Sequence, residues 1–76
     1  MNKVMENVLR EVNEEGEVVL RDGTKWLVDP HEVNTAFHWP EASRIRAEFV
    51  DRDTNYPWEL TEVVHGSTVR AMKVED

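Results

Sequence analysis

The chain has 76 residues, 16 of them acidic and nine basic, for a formal charge of -7; so short a chain forms one small domain, and the acidic excess argues against general binding to phosphate backbones. It has no cysteine, so a disulfide, a cysteine-based zinc site and a thiol nucleophile are excluded. No apolar run exceeds three residues, which leaves no membrane span or signal-peptide core, while 39% hydrophobic content with three Trp argues for a folded, soluble domain.

The charge divides evenly between the two halves, with no linker, repeat or biased tract, so residues 1–76 read as a single domain. At the N-terminus Met1, Val4, Met5, Val8, Leu9 and Val12 recur at helical spacing, whereas Val8, Arg10 and Val12 also alternate. A strand over about residues 7–13 is the expectation, with residues 1–6 read as disordered or helical. Glu14-Glu15-Gly16 and Arg21-Asp22-Gly23 bracket Glu17-Val18-Val19-Leu20 as turn signals. Asp-Gly between apolar segments suggests a type I′ hairpin turn, which needs positive φ at both central residues. The next strand, Thr24-Lys25-Trp26-Leu27-Val28, would place Trp26 and Val28 against Val18 and Leu20 in one core.

Asp29-Pro30-His31-Glu32 reads as a helix start, with an Asp cap, Pro at the first helical position and Glu at the third. Asn34-Thr35 and Pro40 limit that helix to about residues 30–37. Arg44 to Val50 then alternates, with Ile45, Ala47 and Phe49 inward and Arg44, Arg46 and Glu48 outward. Tyr56-Pro57-Trp58-Glu59-Leu60 alternates too, and Pro57 confines it to a bulge or to an edge through which a weak homodimer could form; otherwise a monomer is expected. After a turn at His65-Gly66-Ser67, Val69 to Val74 forms a last strand whose inward face the pattern leaves open. The expected fold is all-β: a small single-domain barrel, SH3-like or OB-like, of five to six short antiparallel strands with one short helix.

Few constellations carry chemistry. Asp51, Asp53, Asn55, Glu59 and Glu62 fall at positions 1, 3, 5, 9 and 12 of a calcium-type loop. Position 6 is Tyr56 rather than glycine, and Pro57 follows, so a solvated turn is the simpler reading; Asp51, Asp53, Asn55 and Glu62 are the weak metal candidates. His31, His38 and His65 match no zinc spacing and read as surface or turn residues. Ser43 and Ser67 lack a nucleophile elbow, and no glycine-rich phosphate loop is present, so neither an enzyme nor a cofactor is expected. Trp39, Tyr56, Arg44 and Arg46 are the candidate binding residues, with Trp39 before Pro40 the best exposed aromatic and Trp26 and Trp58 assigned to the core.

The series Val12, Gly16, Val18-Val19-Leu20-Arg21-Asp22-Gly23-Thr24-Lys25-Trp26-Leu27-Val28 resembles a family of small, functionally uncharacterised bacterial β-barrel proteins with a two-hairpin DG-x-x-W-x-V start. Trp39-Pro40, the Ile45 strand, Tyr56 to Leu60 and Val69-Arg70-Ala71 follow in the same order, so the resemblance spans roughly residues 8–74. This chain departs at Glu41-Ala42-Ser43, where the family has Gly-Asp. The resemblance implies a compact barrel and no catalytic residues. The functional expectation is a non-enzymatic interaction module for a protein partner, with an OB-like single-stranded nucleic-acid binder as the alternative.

Overall fold

The computed structural model describes residues 4–74. Six strands, β1 (Val4–Val12), β2 (Glu17–Leu20), β3 (Lys25–Val28), β4 (Arg44–Phe49), β5 (Trp58–Glu62) and β6 (Ser67–Val74), close into an antiparallel barrel in the order β1-β2-β3-β6-β5-β4. Between β3 and β4 a 3-10 turn (Pro30–Glu32) leads into a single helix, α1 (Val33–Phe37). The barrel, its strand number and the helix agree with the all-β reading of the sequence.

Residues 4–6 belong to β1, so the disordered or helical reading fails there; residues 1–3 lie outside the described residues. The misleading helical spacing has a physical origin. The first half of β1 pairs with β4, from Val4 opposite Glu48 to Val8 opposite Arg44. The second half pairs with β2, and the register shifts between Leu9 and Glu11. The bulge at Arg10 inserts one residue, so Leu9 and Val12 both face the core although they stand three apart. A strand that changes partner over a bulge thus copies the period of a helix.

The Asp22-Gly23 hairpin closes differently from the I′ turn expected, and the hairpin at Gly16 closes in the same way. Leu20 N–H donates to Thr24 O and Gly23 N–H to Leu20 O, and Asn13, Gly16 and Glu17 repeat the pattern. Each loop therefore has three residues, with only its glycine left-handed (Gly23 φ 92°, Gly16 φ 81°). In such a loop Asp22 keeps negative φ, and its carboxylate accepts from the Thr24 N–H and hydroxyl. That hydroxyl bond is the main reason its carboxyl is held below the ordinary aspartate range. The left-handed non-glycine among the described residues is Ala42 (φ 60°), in the loop before β4.

The core is continuous. Val18, Leu20, Trp26, Val28, Ile45, Ala47, Leu60, Val69 and Ala71 are buried. On β6, whose orientation the sequence left open, Val69 and Ala71 face inward. Lys73 continues that row to the barrel rim, with its ammonium 5.9 Å from the centre of the Trp26 ring. Trp58 packs edge-on against both Trp26 (5.0 Å between centroids) and Phe49 (5.4 Å). Pro57 marks no open edge. It precedes β5, and its carbonyl accepts from both Val50 and Asp51 N–H, a bulge that ends the β4–β5 ladder.

β3 covers only Ala71 to Val74 of the longer β6. Beyond it the helical segment takes over the β6 backbone. Asp29 N–H donates to Arg70 O, and the Glu32 carboxylate accepts from Arg70 N–H at 2.9 Å. Asp29 caps as expected, accepting from His31 N–H, but Glu32 does not turn back in a capping box, because the unpaired amide of β6 claims it. This staple places α1 across one end of the barrel, where β4 begins, β5 ends and β6 begins.

Candidate functional site

The inward rows of β4, β5 and β6 are Phe49/Trp58/Ala71, Ala47/Leu60/Val69 and Ile45/Glu62/Ser67. The last row lies at the end covered by α1, and there the pattern puts a glutamate where apolar residues precede it. Glu62 is 2% exposed. Its Oε2 accepts from Val64 N–H (2.8 Å), and its Oε1 accepts from His65 N–H (3.1 Å) and lies 2.6 Å from His65 Nδ1. Burial works to raise its pKa. The bond to the His65 ring and those from the two backbone amides outweigh that and hold the carboxyl below the ordinary glutamate range. The carboxylate thereby fixes the turn over residues 63–66, which Gly66 closes by donating to Glu62 O with φ at 76°.

α1 supplies the facing wall. Thr35 and His38 stand three residues apart, on one side of the helix and its C-cap, and His38 Nδ1 lies 2.6 Å from Asn34 O. Trp39 follows, and its indole Nε1–H donates to Ser67 Oγ at 3.2 Å, tying the end of the helix to the first residue of β6. Between these walls opens a cleft of about 510 Å³ lined by Thr35, His38, Trp39, Pro40, Glu62, His65 and Ser67. Val64 stands beside it in the turn and is 77% exposed, the highest value among the exposed large apolar side chains.

The four binding residues expected from sequence do not share a surface. Trp39 is 8% exposed, because its ring packs into the core and its one polar atom is spent on Ser67. Tyr56 lies beyond the other end of β5, half-buried, with its carbonyl accepting from Arg70 Nε. Arg44 and Arg46 are exposed on the outer face of β4, as the alternation required. Each meets an acid: Arg46 is directly opposite Glu6, and Arg44 Nε lies 3.4 Å from Glu6 Oε1.

The calcium loop does not form either. Asp51 accepts from Asp53 N–H in a local turn between β4 and β5, while Glu62 sits at the far end of β5, fully engaged with its own turn. Glu59 faces outward opposite Arg70. Among the described residues, no group of three or more His, Cys, Asp or Glu side chains is placed to hold a metal ion, no helix is long and apolar enough to cross a membrane, and every buried side-chain nitrogen or oxygen has a partner.

What sequence reasoning missed is the meeting of His38, His65, Glu62 and Ser67. Their spacing carries no signal, since two separate elements deliver them and the Trp39–Ser67 bond closes the distance. The one available hint was a glutamate on the inward parity of β5. Comparison of the chain with protein-family models, with curated proteins and with solved structures finds no match.

Proposed function

We propose that the protein is a non-enzymatic interaction module that binds a protein partner through the 63–66 turn and the adjoining cleft. The observation that carries this reading is the buried Glu62 carboxylate, committed to holding a turn that displays Val64 almost fully to solvent. An apolar contact on a turn already ordered by its own hydrogen bonds loses little entropy on binding, and that is what makes a small surface effective. The formal charge of -7 suits a partner with an apolar socket and a basic rim.

Two features support a binding role over catalysis. The cleft is open, so it does not exclude water from a reacting centre, and the Ser67 hydroxyl already accepts from Trp39. Of the β4 arginines, Arg46 stands opposite Glu6 and Arg44 lies 3.4 Å from the same carboxylate, so both have an acid beside them, which favours a protein over a nucleic acid. A closed barrel offers no strand edge for pairing between copies, which favours a monomer.

A photo-crosslinking residue at position 63 tests the reading. Discrete crosslinks to a protein should form and be lost in Val64→Asp, while Arg46→Ala leaves them unchanged. Crosslinks indifferent to Val64 refute the placement. A salt-sensitive mobility shift with short single-stranded oligonucleotides would overturn it in favour of nucleic-acid binding.

A further inference from the structure

The strand order puts three connections at the end of the barrel that carries α1: residues 13–16, 29–43 and 63–66. Together they hold five acids, Glu14, Glu15, Asp29, Glu32 and Glu41, and no Lys or Arg. The connections at the opposite end, 21–24 and 50–57, hold Asp22, Asp51 and Asp53 against Arg21 and Arg52, with Lys25 and Lys73 on the strands beside them. Charge is therefore segregated along the barrel: -5 (five acids, no Lys or Arg) in the loops at the helical end, and -1 (three acids, two Arg) in those at the other. His31, His38 and His65 lie in the acidic loops and offset that charge only when protonated. Asp29 is engaged as the cap of the 3-10 turn and Glu32 on Arg70 N–H, whereas Glu14, Glu15 and Glu41 are exposed. Arg44, the first residue of β4, also stands at this end, but its Nε lies 3.4 Å from Glu6 Oε1 on the outer face.

Acids alone would select no particular cation. At this end they accompany the cleft, whose lining includes Trp39 and Pro40, and the turn that exposes Val63 (38%) and Val64 (77%). We infer that the helical end docks a cationic segment of a protein partner, in which an apolar side chain enters the cleft between Lys or Arg residues. This rests on the partner-binding reading and names the chemistry of that partner. The apolar side chain answers Trp39, Pro40 and Val64, since burying apolar surface against them supplies the contact energy. The flanking cations answer the loops: a lysine or arginine arriving there meets carboxylates and no Lys or Arg from the three connections, while an acidic segment is repelled. Glu41 acts most directly, because it is exposed and follows Pro40 of the cleft lining. The opposite charge balance at the far end, with Arg21, Lys25, Arg52 and Lys73, steers such a segment toward the helical end before contact is made.

The experiment titrates the full chain with three short synthetic peptides and follows its backbone amide shifts. One peptide has a leucine between lysines, the second has glutamates in place of the lysines, and the third keeps the lysines but has glycine for the leucine. The leucine–lysine peptide should shift the amides of Thr35, His38 and residues 63–67, and the other two should bind far more weakly. Raising salt from about 0.01 M to about 0.1 M shortens the screening length from about 30 Å to about 10 Å and should weaken binding severalfold. Glu41→Lys should weaken it by about fivefold, and Asp53→Lys at the opposite end should leave it unchanged, with the amide spectrum verifying that each variant is folded. No shifts with the leucine–lysine peptide at low salt overturn the inference. So does equal binding of the glutamate or glycine peptide, or indifference to both salt and Glu41→Lys. The Val64→Ser variant separates the two readings: if it weakens binding of the glutamate peptide, the turn still docks a partner and only the cationic chemistry is wrong. If the leucine–lysine peptide binds Val64→Ser as well as it binds the parent chain, the partner-binding reading falls with it.

Discussion

Replacing Gly16 with alanine should destabilise the protein by more than the same change at Gly23, and the difference measures how tightly the helix is seated on the barrel. Both glycines are left-handed, so either alanine costs about 1–2 kcal/mol in backbone strain. At Gly23 nothing lies within 4 Å of the added methyl group. At Gly16 that methyl would stand 2.8 Å from Val33 Cγ2, where ordinary contact begins at 3.4 Å, so Val33 must retreat by roughly 0.6 Å (3.4 less 2.8). Overpacking of that kind adds about 1–3 kcal/mol, which brings Gly16→Ala to about 2–5 kcal/mol and Gly23→Ala to about 1–2. The entropy that alanine removes from the unfolded chain is common to both and cancels in the comparison. Each kcal/mol corresponds to about 4–8 °C in the melting temperature of so small a domain. Urea denaturation of both variants, and of Gly16→Ala in a Val33→Ala background, checks the reasoning. There the steric part should vanish and leave only the backbone strain. Equal losses at the two glycines, or an unchanged cost once Val33 is trimmed, would refute it. Because Val33 begins α1, the same clash should displace Thr35 and His38 relative to the turn that faces them.

Other perturbations have definite signs. The Glu62 carboxyl is depressed in the folded state, so its contribution to stability is complete above the unfolded value of 4.5 and is lost as pH falls through the lower folded value. Thermal melts at stepped acidic pH should show this loss, and Glu62→Gln should flatten it; an unchanged slope in the variant would contradict the assignment. Ala42→Gly should stabilise by up to about 1 kcal/mol, since glycine removes the left-handed strain, and a loss measured by urea denaturation would show the strain to be absent. Trp39→Phe and Ser67→Ala should each cost about 1 kcal/mol for the shared hydrogen bond, and a double-mutant cycle should show them to be non-additive. Lys73→Met should cost about 0.5–1 kcal/mol through loss of the charge over Trp26, a loss that high salt should shrink.

The strands were legible wherever a period of two met a turn residue. Val18, Leu20, Trp26 and Val28 face one core because alternation puts them there, and Ile45, Ala47 and Phe49 follow the same rule. Asp29-Pro30 announced the helix for an equally local reason: a capping carboxylate and a preset φ act within three residues. In β1 the strand expected over residues 7–13 forms, but its start at Val4 was not legible, because the bulge that shifts the phase of its apolar residues is set by the partner strands on either side rather than by the residues within it.

The candidate site obeys the same division. The sequence by itself determined the alternating strands, the glycine-closed turns and the acidic, cysteine-free surface, all of which follow from the chemistry of neighbouring residues. Only the tertiary structure decided what Glu62 does. The 63–66 turn offers it two amides and a ring nitrogen, and the Glu32 staple brings α1 and His38 to the facing wall. It also decided that Trp39 is core rather than surface, since the hydroxyl that satisfies its indole comes from β6. A buried polar group takes whichever partner the closed barrel brings within reach, and the residues around it in the chain do not say which that will be.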